Sequence, residues 1–138
     1  MPGRAEAPRS GKELARRVSA LARELGLTTK PEFKLGRRLW GATRRIDIIL
    51  RDPKSGKTLG VECKAQAKSG TTEEKIPTTI QDMKAWPIAG LLVFDGRGFT
   101  ENMKSFLIST GQAVAFEDLE SWLRLYFGLS IDEPENRK

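Results

Sequence analysis

Apolar residues near the start of the chain recur at the spacing of a helix with one buried side. They stand at Leu14, Val18, Leu21 and Leu25. Ser10 followed by Glu13 is a capping-box pattern, and Gly26 is a typical helix stop. This pattern predicts a first helix over about residues 11–25.

Three strand-like segments follow this helix, over residues 32–40, 43–50 and 57–64. The second and third are separated by a turn-rich stretch, residues 52–56, that contains Asp, Pro, Ser and Gly. Short connections of this kind join antiparallel strands. The pattern therefore predicts a three-stranded antiparallel meander.

The second half of the chain alternates between helical and strand patterns. The continuous apolar run at residues 88–94 is typical of a central strand that is covered on both faces. The other predicted elements are helices near 77–86, 100–110 and 117–127, and a short strand at 112–116. The order αβββαβαβα predicts an α/β fold with a mixed central sheet flanked by helices. One domain is expected over 10–128, between a disordered basic N-terminus at 1–9 and a polar tail at 129–138.

Positive charge is concentrated in the first third of the chain. Residues 1–45 hold twelve Lys and Arg against four Asp and Glu, whereas residues 46–138 hold twelve against fourteen. The densest cluster consists of Arg37, Arg38, Arg44 and Arg45. Such a cluster is suited to binding the phosphates of a nucleic acid, although a solvated basic hairpin would have the same composition.

Composition also excludes several classes of protein. The chain has no histidine and one cysteine, Cys63, which excludes Ser-His-Asp hydrolysis, HExxH zinc proteases, zinc fingers and disulfide scaffolds. The longest apolar run is far shorter than the roughly 20 residues of a membrane span, and no signal peptide is evident. A cytoplasmic protein without a membrane partner is expected.

The predicted hairpin brings two acidic residues together. A turn over residues 53–56 makes Asp47 and Glu62 direct partners across the two strands. Alternation then predicts an apolar face that comprises Ile46, Ile48, Leu50, Leu59, Val61 and Cys63. The opposite face comprises Arg45, Asp47, Ile49, Gly60, Glu62 and Lys64, with open space at the glycine.

Directly paired residues have Cβ atoms about 4.5–5.5 Å apart, and two carboxylates placed in this way repel each other. A cation between them would offset the repulsion. Mg²⁺ prefers such oxygen ligands, and Lys64 on the same face could assist a water that attacks a phosphodiester. The alternative is a solvated polar face on which Arg45 and Lys64 neutralise the acids.

Asp47 followed by Glu62-x-Lys64, inside an αβββαβ order, resembles the PD-(D/E)XK nuclease superfamily. The segments at 62–75 and 90–96 look most similar to type II restriction endonucleases, and the resemblance covers about residues 11–116. It implies a restriction-endonuclease-like core with an additional C-terminal helix. One departure is that Ile46, not proline, precedes Asp47.

The resemblance also implies roles for individual residues. Asp47 and Glu62 correspond to the metal-binding carboxylates, with the main-chain carbonyl of Cys63 as a further ligand, and Lys64 corresponds to the catalytic lysine. Gln66 resembles a glutamine that lies near substrate phosphate. The resemblance adds weaker candidates, which are Glu13 for catalysis and Lys68 and Lys75 for DNA binding. Glu13 has the competing role of completing the helix cap.

Together these features predict a DNA endonuclease that depends on Mg²⁺, with Mn²⁺ able to substitute. A non-catalytic basic DNA-binding module on the same fold is the alternative, and an RNA-associated protein is a third. Because the chain is small and one site cuts one strand, double-strand cutting would require a homodimer.

Overall fold

A mixed five-stranded sheet with helices on both faces forms the core of the protein. The computed structural model describes residues 10–37, 43–65, 76–95 and 99–130. Within those ranges every helix is too short or too polar to cross a bilayer. In chain order the elements are α1 (Gly11–Glu24), β1 (Thr28–Arg37), β2 (Thr43–Arg51), β3 (Thr58–Lys64), α2 (Ile76–Lys84), β4 (Gly90–Phe94), α3 (Glu101–Ser109), β5 (Ala113–Ala115) and α4 (Leu119–Phe127).

The strands lie in the sheet in chain order, β1-β2-β3-β4-β5. Strands β1, β2 and β3 pair antiparallel, which confirms the predicted meander. Strands β3, β4 and β5 pair parallel. Helices α2 and α3 supply the crossover connections that parallel pairing requires.

Two apolar clusters cover the two faces of the sheet. One lies between the sheet and helices α1 and α4, and it includes Leu14, Val61 and Leu123. The other lies between the sheet and helices α2 and α3, and it includes Met83 and Leu92. The run at 88–94 therefore contributes side chains to both clusters, as its continuous apolarity predicts.

Local signals set the ends of most helices. The Ser10 hydroxyl accepts the Glu13 N–H at 3.2 Å at the start of α1, and Thr100 caps α3 in the same way by accepting the Met103 N–H at 3.1 Å. Gly26 follows the first helix at a φ of 89°, a left-handed conformation in which glycine is not strained.

Several predicted boundaries were wrong. Strand β4 begins at Gly90 and not at residue 88, and α2 ends at Lys84 and not near residue 86. Strand β1 begins at Thr28 and not near residue 32, because Thr28 pairs with Arg51 at the far end of the long strand β2. Pro31 is tolerated there because β1 lies at an edge of the described sheet. Before α4, residues Phe116–Asp118 form a 3₁₀ turn, so the α-helix itself begins two residues later than predicted.

The space beside Gly60 is filled, contrary to the expectation of open space. A methyl group at Gly60 would lie 2.8 Å from Cζ3 of Trp86 and 3.2 Å from Cγ2 of Ile46. Ile46 is therefore buried on the Trp86 side of the sheet, whereas strict alternation from Ile48 places it on the other side. The described β2-β3 pairing ends at Ile48, and this break allows the alternation to change.

Candidate active site

The hairpin between β2 and β3 has the register that its turn predicts. Observed pairs run from Arg51 opposite Thr58 to Ile48 opposite Val61. The turn is closed by the Asp52 N–H, which donates to the Lys57 carbonyl at 2.9 Å. One further step of this register brings Asp47 to the level of Glu62, where regular pairing stops.

At this point a side chain replaces the main chain as the partner of β3. The Cys63 N–H donates to Oδ2 of Asp47 at 3.0 Å. This hydrogen bond holds the Asp47 carboxylate against the strand that carries Glu62. The two strands therefore separate where the acidic residues lie.

A cleft of about 410 Å³ opens at this separation. It is lined by Asp47, Glu62 and Lys64, which are three of the predicted site residues, and by Arg45 at its exposed rim. The first turns of α1 form the facing wall. The remaining lining residues are Gly11, Lys12, Ala15, Glu32, Cys63 and Ala65.

Burial raises the pKa of Asp47 above its ordinary value of 3.8. The hydrogen bond from Cys63 is the largest of the opposing effects, followed by the positive charges of Lys64 and Arg45. The negative charge of Glu32 adds to the increase. The carboxylate is thus held in an environment that does not fully compensate its charge.

Glu62 is perturbed more strongly. Burial and the neighbouring charge of Asp47 raise its pKa from 4.5 to about 7, against the lowering effects of Lys64 and Arg45. The Lys64 Nζ atom lies 3.9 Å from Oε2 of Glu62. Two adjacent carboxylates with raised pKa values are a feature of functional sites, because charge repulsion of this kind destabilises the fold unless a ligand relieves it.

Cys63 places its side chain and its main chain in different environments. Its thiol is buried in the apolar cluster beneath α1, and burial raises the pKa of that thiol well above its ordinary value. Its main chain lines the cleft. Gly11 lies against the carbonyl, since a methyl group at Gly11 would stand 3.0 Å from the Cys63 oxygen.

The donor chemistry of the cleft fits a hard divalent cation. Two carboxylates and a main-chain carbonyl are oxygen ligands of the type that Mg²⁺ prefers, and Mg²⁺ completes its shell with water. Across the described ranges, no cluster of three or more His, Cys, Asp or Glu residues forms a metal cage.

Of the remaining catalytic candidates, Glu13 does not line this cleft. Glu13 lies on α1, where its Oε2 accepts a hydrogen bond from Arg17 at 2.9 Å and its N–H is bound by the Ser10 cap. The cleft-facing residues of that helix are Gly11, Lys12 and Ala15. Gln66 is outside the described residues.

The predicted DNA contacts are only partly located. Arg45 lines the cleft. Arg37 and Arg44 occupy paired positions in β1 and β2, where Arg37 is opposite Thr43 and Gly36 is opposite Arg44. Arg38, Lys68 and Lys75 lie outside the described residues.

Two charged residues of the cleft were not predicted from the sequence. Lys12 is exposed and faces the cleft from α1, one helical turn before Ala15. Glu32 lies in β1 and also lines the cleft. Its φ of 47° is uncommon for a residue other than glycine. Nothing in the sequence indicates which side of α1 borders the cleft, nor the backbone conformation of Glu32.

Comparison with solved structures shows similarity of fold. A protein of unknown function, AF1548, is 16% identical with a TM-score of 0.52, and the match covers 75% of this chain and 56% of that one. The chain thus spans little more than half of that relative. Another protein of unknown function, SPO1766 from Silicibacter pomeroyi, is 20% identical over 91% of this chain and 99% of its own, with a TM-score of 0.46.

A repair endonuclease from Pyrococcus abyssi is 17% identical with a TM-score of 0.38, over 79% of this chain and 47% of that one. No curated protein matches the sequence. The described architecture is an α/β, restriction-endonuclease-like fold, as expected. A model of the PD-(D/E)XK nuclease superfamily domain matches residues 6–122, and the chain therefore belongs to the PD-(D/E)XK nuclease superfamily.

Proposed function

We propose that this protein is a metal-dependent DNA endonuclease that hydrolyses phosphodiester bonds in the cleft between β2 and β3. One observation carries the proposal: Asp47, Glu62 and Lys64 line a single cleft. In that cleft the negative charge of Asp47 contributes to the raised pKa of Glu62, and a bound cation would offset this repulsion. Membership of a nuclease superfamily supports the same chemistry.

The proposed cofactor is Mg²⁺, with Mn²⁺ as a substitute. Asp47, Glu62 and the carbonyl of Cys63 would hold it, and Gly11 leaves that carbonyl without a facing side chain. When bound, the cation supplies positive charge for the phosphate and makes a nearby water more acidic.

The protein's own residues would orient the reaction. The Cys63 N–H fixes one carboxylate oxygen of Asp47, so the other oxygen is available to a ligand. Lys64, held near Glu62, would assist the attacking water and stabilise charge on the phosphate. Gln66, which lies outside the described residues, is proposed to contact the substrate phosphate.

Basic residues would bind the DNA backbone around this cleft. Arg45 stands at the rim, and Arg37, Arg38 and Arg44 precede it along the chain. Lys68 and Lys75, which follow Lys64 in the sequence, are further residues proposed to contact DNA phosphates. Such contacts are electrostatic and depend on salt concentration.

The test is a cleavage panel. Supercoiled plasmid, linear duplex, single-stranded, flap and branched DNA are incubated with the protein and Mg²⁺ or Mn²⁺, with EDTA in parallel. We expect nicking or cutting of at least one substrate with metal and none with EDTA. Cleavage that persists in EDTA, or that the Asp47→Asn variant retains at the wild-type rate, would refute the proposed site.

A second candidate function is DNA binding without catalysis. It is favoured by the lack of a cluster of three metal-ligating side chains among the described residues. DNA retention that is unaffected by EDTA, with no cleavage across the whole panel, would support this candidate over the nuclease.

Double-strand cutting adds the further proposal of a homodimer, since each chain would supply one site. Sedimentation with and without DNA tests it. A protein that is monomeric in both conditions but still cuts both strands together would exclude this assembly.

A further inference from the structure

A second groove extends from the cleft along α1. Its volume is about 440 Å³, and its walls are α1 on one side and β1 with β2 on the other. Four residues line both the groove and the cleft, which makes the two continuous. They are Lys12, Ala15, Glu32 and Asp47.

Three basic residues of α1 line this groove in a row. Lys12, Arg16 and Arg23 are exposed, and with Ser19 they follow a 4-3-4 spacing that places them on one side of the helix. At 1.5 Å per residue, Lys12 and Arg23 are about 16 Å apart along the helix axis. The row therefore leads away from Asp47 in one direction.

Few of these positive charges are neutralised by residues that the structure describes. In the part of the chain that the structure describes, Lys12 and Arg16 have no ion pair, and Arg23 donates only to the hydroxyl of Thr29 at 3.2 Å. The acidic residues of the groove are Glu32 and Asp47, both at the end shared with the cleft. The charged residues that line the rest of the groove, Arg16 and Arg23, are therefore both positive.

The neighbouring side of the same helix is different. Glu13 and Arg17 form an ion pair at 2.9 Å and do not line the groove. Arg17 thus carries the same charge as Arg16, one position further along the chain, but its charge is compensated. This difference provides a matched comparison within one helix.

We propose that the groove binds the phosphodiester backbone of the strand that is cut, on one side of the cleaved bond. The inference rests on the proposed function and adds the path of the substrate to it. Since one strand rises about 3.4 Å per nucleotide, 16 Å corresponds to about five nucleotides. To contact the whole row, the cut strand must therefore extend at least about five nucleotides from the cleaved bond on the groove side.

Binding is tested with single-stranded and duplex oligodeoxynucleotides in the cleavage-deficient Asp47→Asn background. Each phosphate contact that is removed should reduce the slope of log affinity against log salt by about 0.7 on a single strand and about 0.9 on a duplex. We expect this reduction for Arg16→Gln and for Arg23→Gln, and twice as much for the double variant. The controls Arg17→Gln and Lys104→Gln should leave the slope unchanged.

Cleavage of substrates of different length separates binding from a structural effect. On substrates that extend ten nucleotides beyond the cut on either side, Arg23→Gln should raise KM severalfold without changing kcat. When the strand ends two nucleotides from the cut on the groove side, Arg23→Gln should match wild type, because no phosphate reaches Arg23. A variant that was merely unstable would lose activity on all substrates alike.

The outcomes separate the two proposals. If the wild type cuts DNA but Arg16→Gln and Arg23→Gln lose no more salt dependence than Arg17→Gln, the groove proposal is wrong and the nuclease proposal stands. An Arg23→Gln effect that does not depend on strand length also refutes the groove. If the wild type neither binds nor cuts any substrate, both proposals fail.

Discussion

The main-chain N–H of Cys63 donates to the carboxylate of Asp47 at 3.0 Å, at the position where the β2-β3 pairing ends. This contact connects the two strands by a side chain where the main chains separate. It holds Asp47 next to Glu62, and the negative charge of Asp47 raises the pKa of Glu62. One hydrogen bond therefore contributes both to the fold and to the charge density of the cleft.

Replacing Asp47 should separate these two contributions. Asp47→Asn retains an oxygen that can accept the Cys63 N–H and removes the charge that repels Glu62, whereas Asp47→Ala leaves that N–H without its partner. An unpaired donor of this kind costs about 1–3 kcal/mol. We expect the alanine variant to be less stable than the asparagine variant by this amount in urea denaturation, and both variants to be inactive in plasmid nicking. Equal stability of the two would show that the hydrogen bond contributes little.

Lys64 should act on the reaction more than on the fold. It is about one-fifth exposed and lies 3.9 Å from Glu62, so its methylene groups can remain packed in Lys64→Met. Positioned acid-base groups contribute about 10²–10⁴-fold, and we expect a loss of kcat in this range with little change in KM. A Lys64→Met variant with wild-type kcat would show that the lysine contributes neither a proton-transfer nor an electrostatic effect to the reaction.

The stability of the metal-free protein should depend on pH through Glu62. Its pKa is raised from 4.5 to about 7 in the folded state, so between these values the native protein binds more protons than the unfolded chain. The free energy of unfolding therefore falls as pH rises from about 4.5 to about 7, by about 3 kcal/mol in total.

Urea denaturation in EDTA at pH 5 and pH 8 measures this change, with Glu62→Gln as the control that should remove most of it. Because metal ions bind the deprotonated carboxylates, Mg²⁺ should raise the melting temperature more at pH 8 than at pH 5. A Glu62→Gln variant with the wild-type pH dependence would assign the effect to other groups.

Glu13 should contribute to the helix and not to the reaction. It pairs with Arg17 at 2.9 Å and does not line the cleft, and helical pairs of this spacing contribute about 0.3–0.5 kcal/mol. We expect Glu13→Gln to cleave DNA at close to the wild-type rate and to melt at nearly the same temperature. A loss of kcat of a hundredfold or more would instead support the catalytic role suggested by family resemblance.

Gly60 should be intolerant of a side chain because of Trp86. A methyl group at Gly60 would approach the indole to 2.8 Å, and overpacking of this kind costs about 1–3 kcal/mol. In the Trp86→Ala background the same Gly60→Ala substitution should cost much less. The unfolding free energies of the four proteins in this cycle measure the coupling, and additive effects would contradict it.

Much of the fold could be predicted from the sequence because the relevant signals are local. The 4-3-4 apolar spacing of α1, the Ser10 and Thr100 caps and the turn at 53–56 each depend on residues close together in the chain. The turn also predicts the register, since a hairpin of fixed length leaves the strands one way to pair. This register also predicts that Asp47 lies at the level of Glu62.

Contacts between distant segments decided the rest. Ile46 lies on the side of the sheet that Trp86 covers, because the pairing of β2 with β3 stops at Ile48. Trp86 comes from a distant part of the chain, just after α2. Strand alternation alone does not predict such a break, because the break depends on a hydrogen bond between a side chain and the opposite strand.

The sequence by itself determined which helices and strands form and how β2 pairs with β3. Only the tertiary structure decided which charged residues of α1 face the cleft and the adjoining groove, where Lys12 and Arg16 lie and Glu13 does not. The physical reason is that backbone geometry sets the helical and strand periods locally. The side of a helix that borders a cleft depends instead on how the helix packs against a sheet built from later residues.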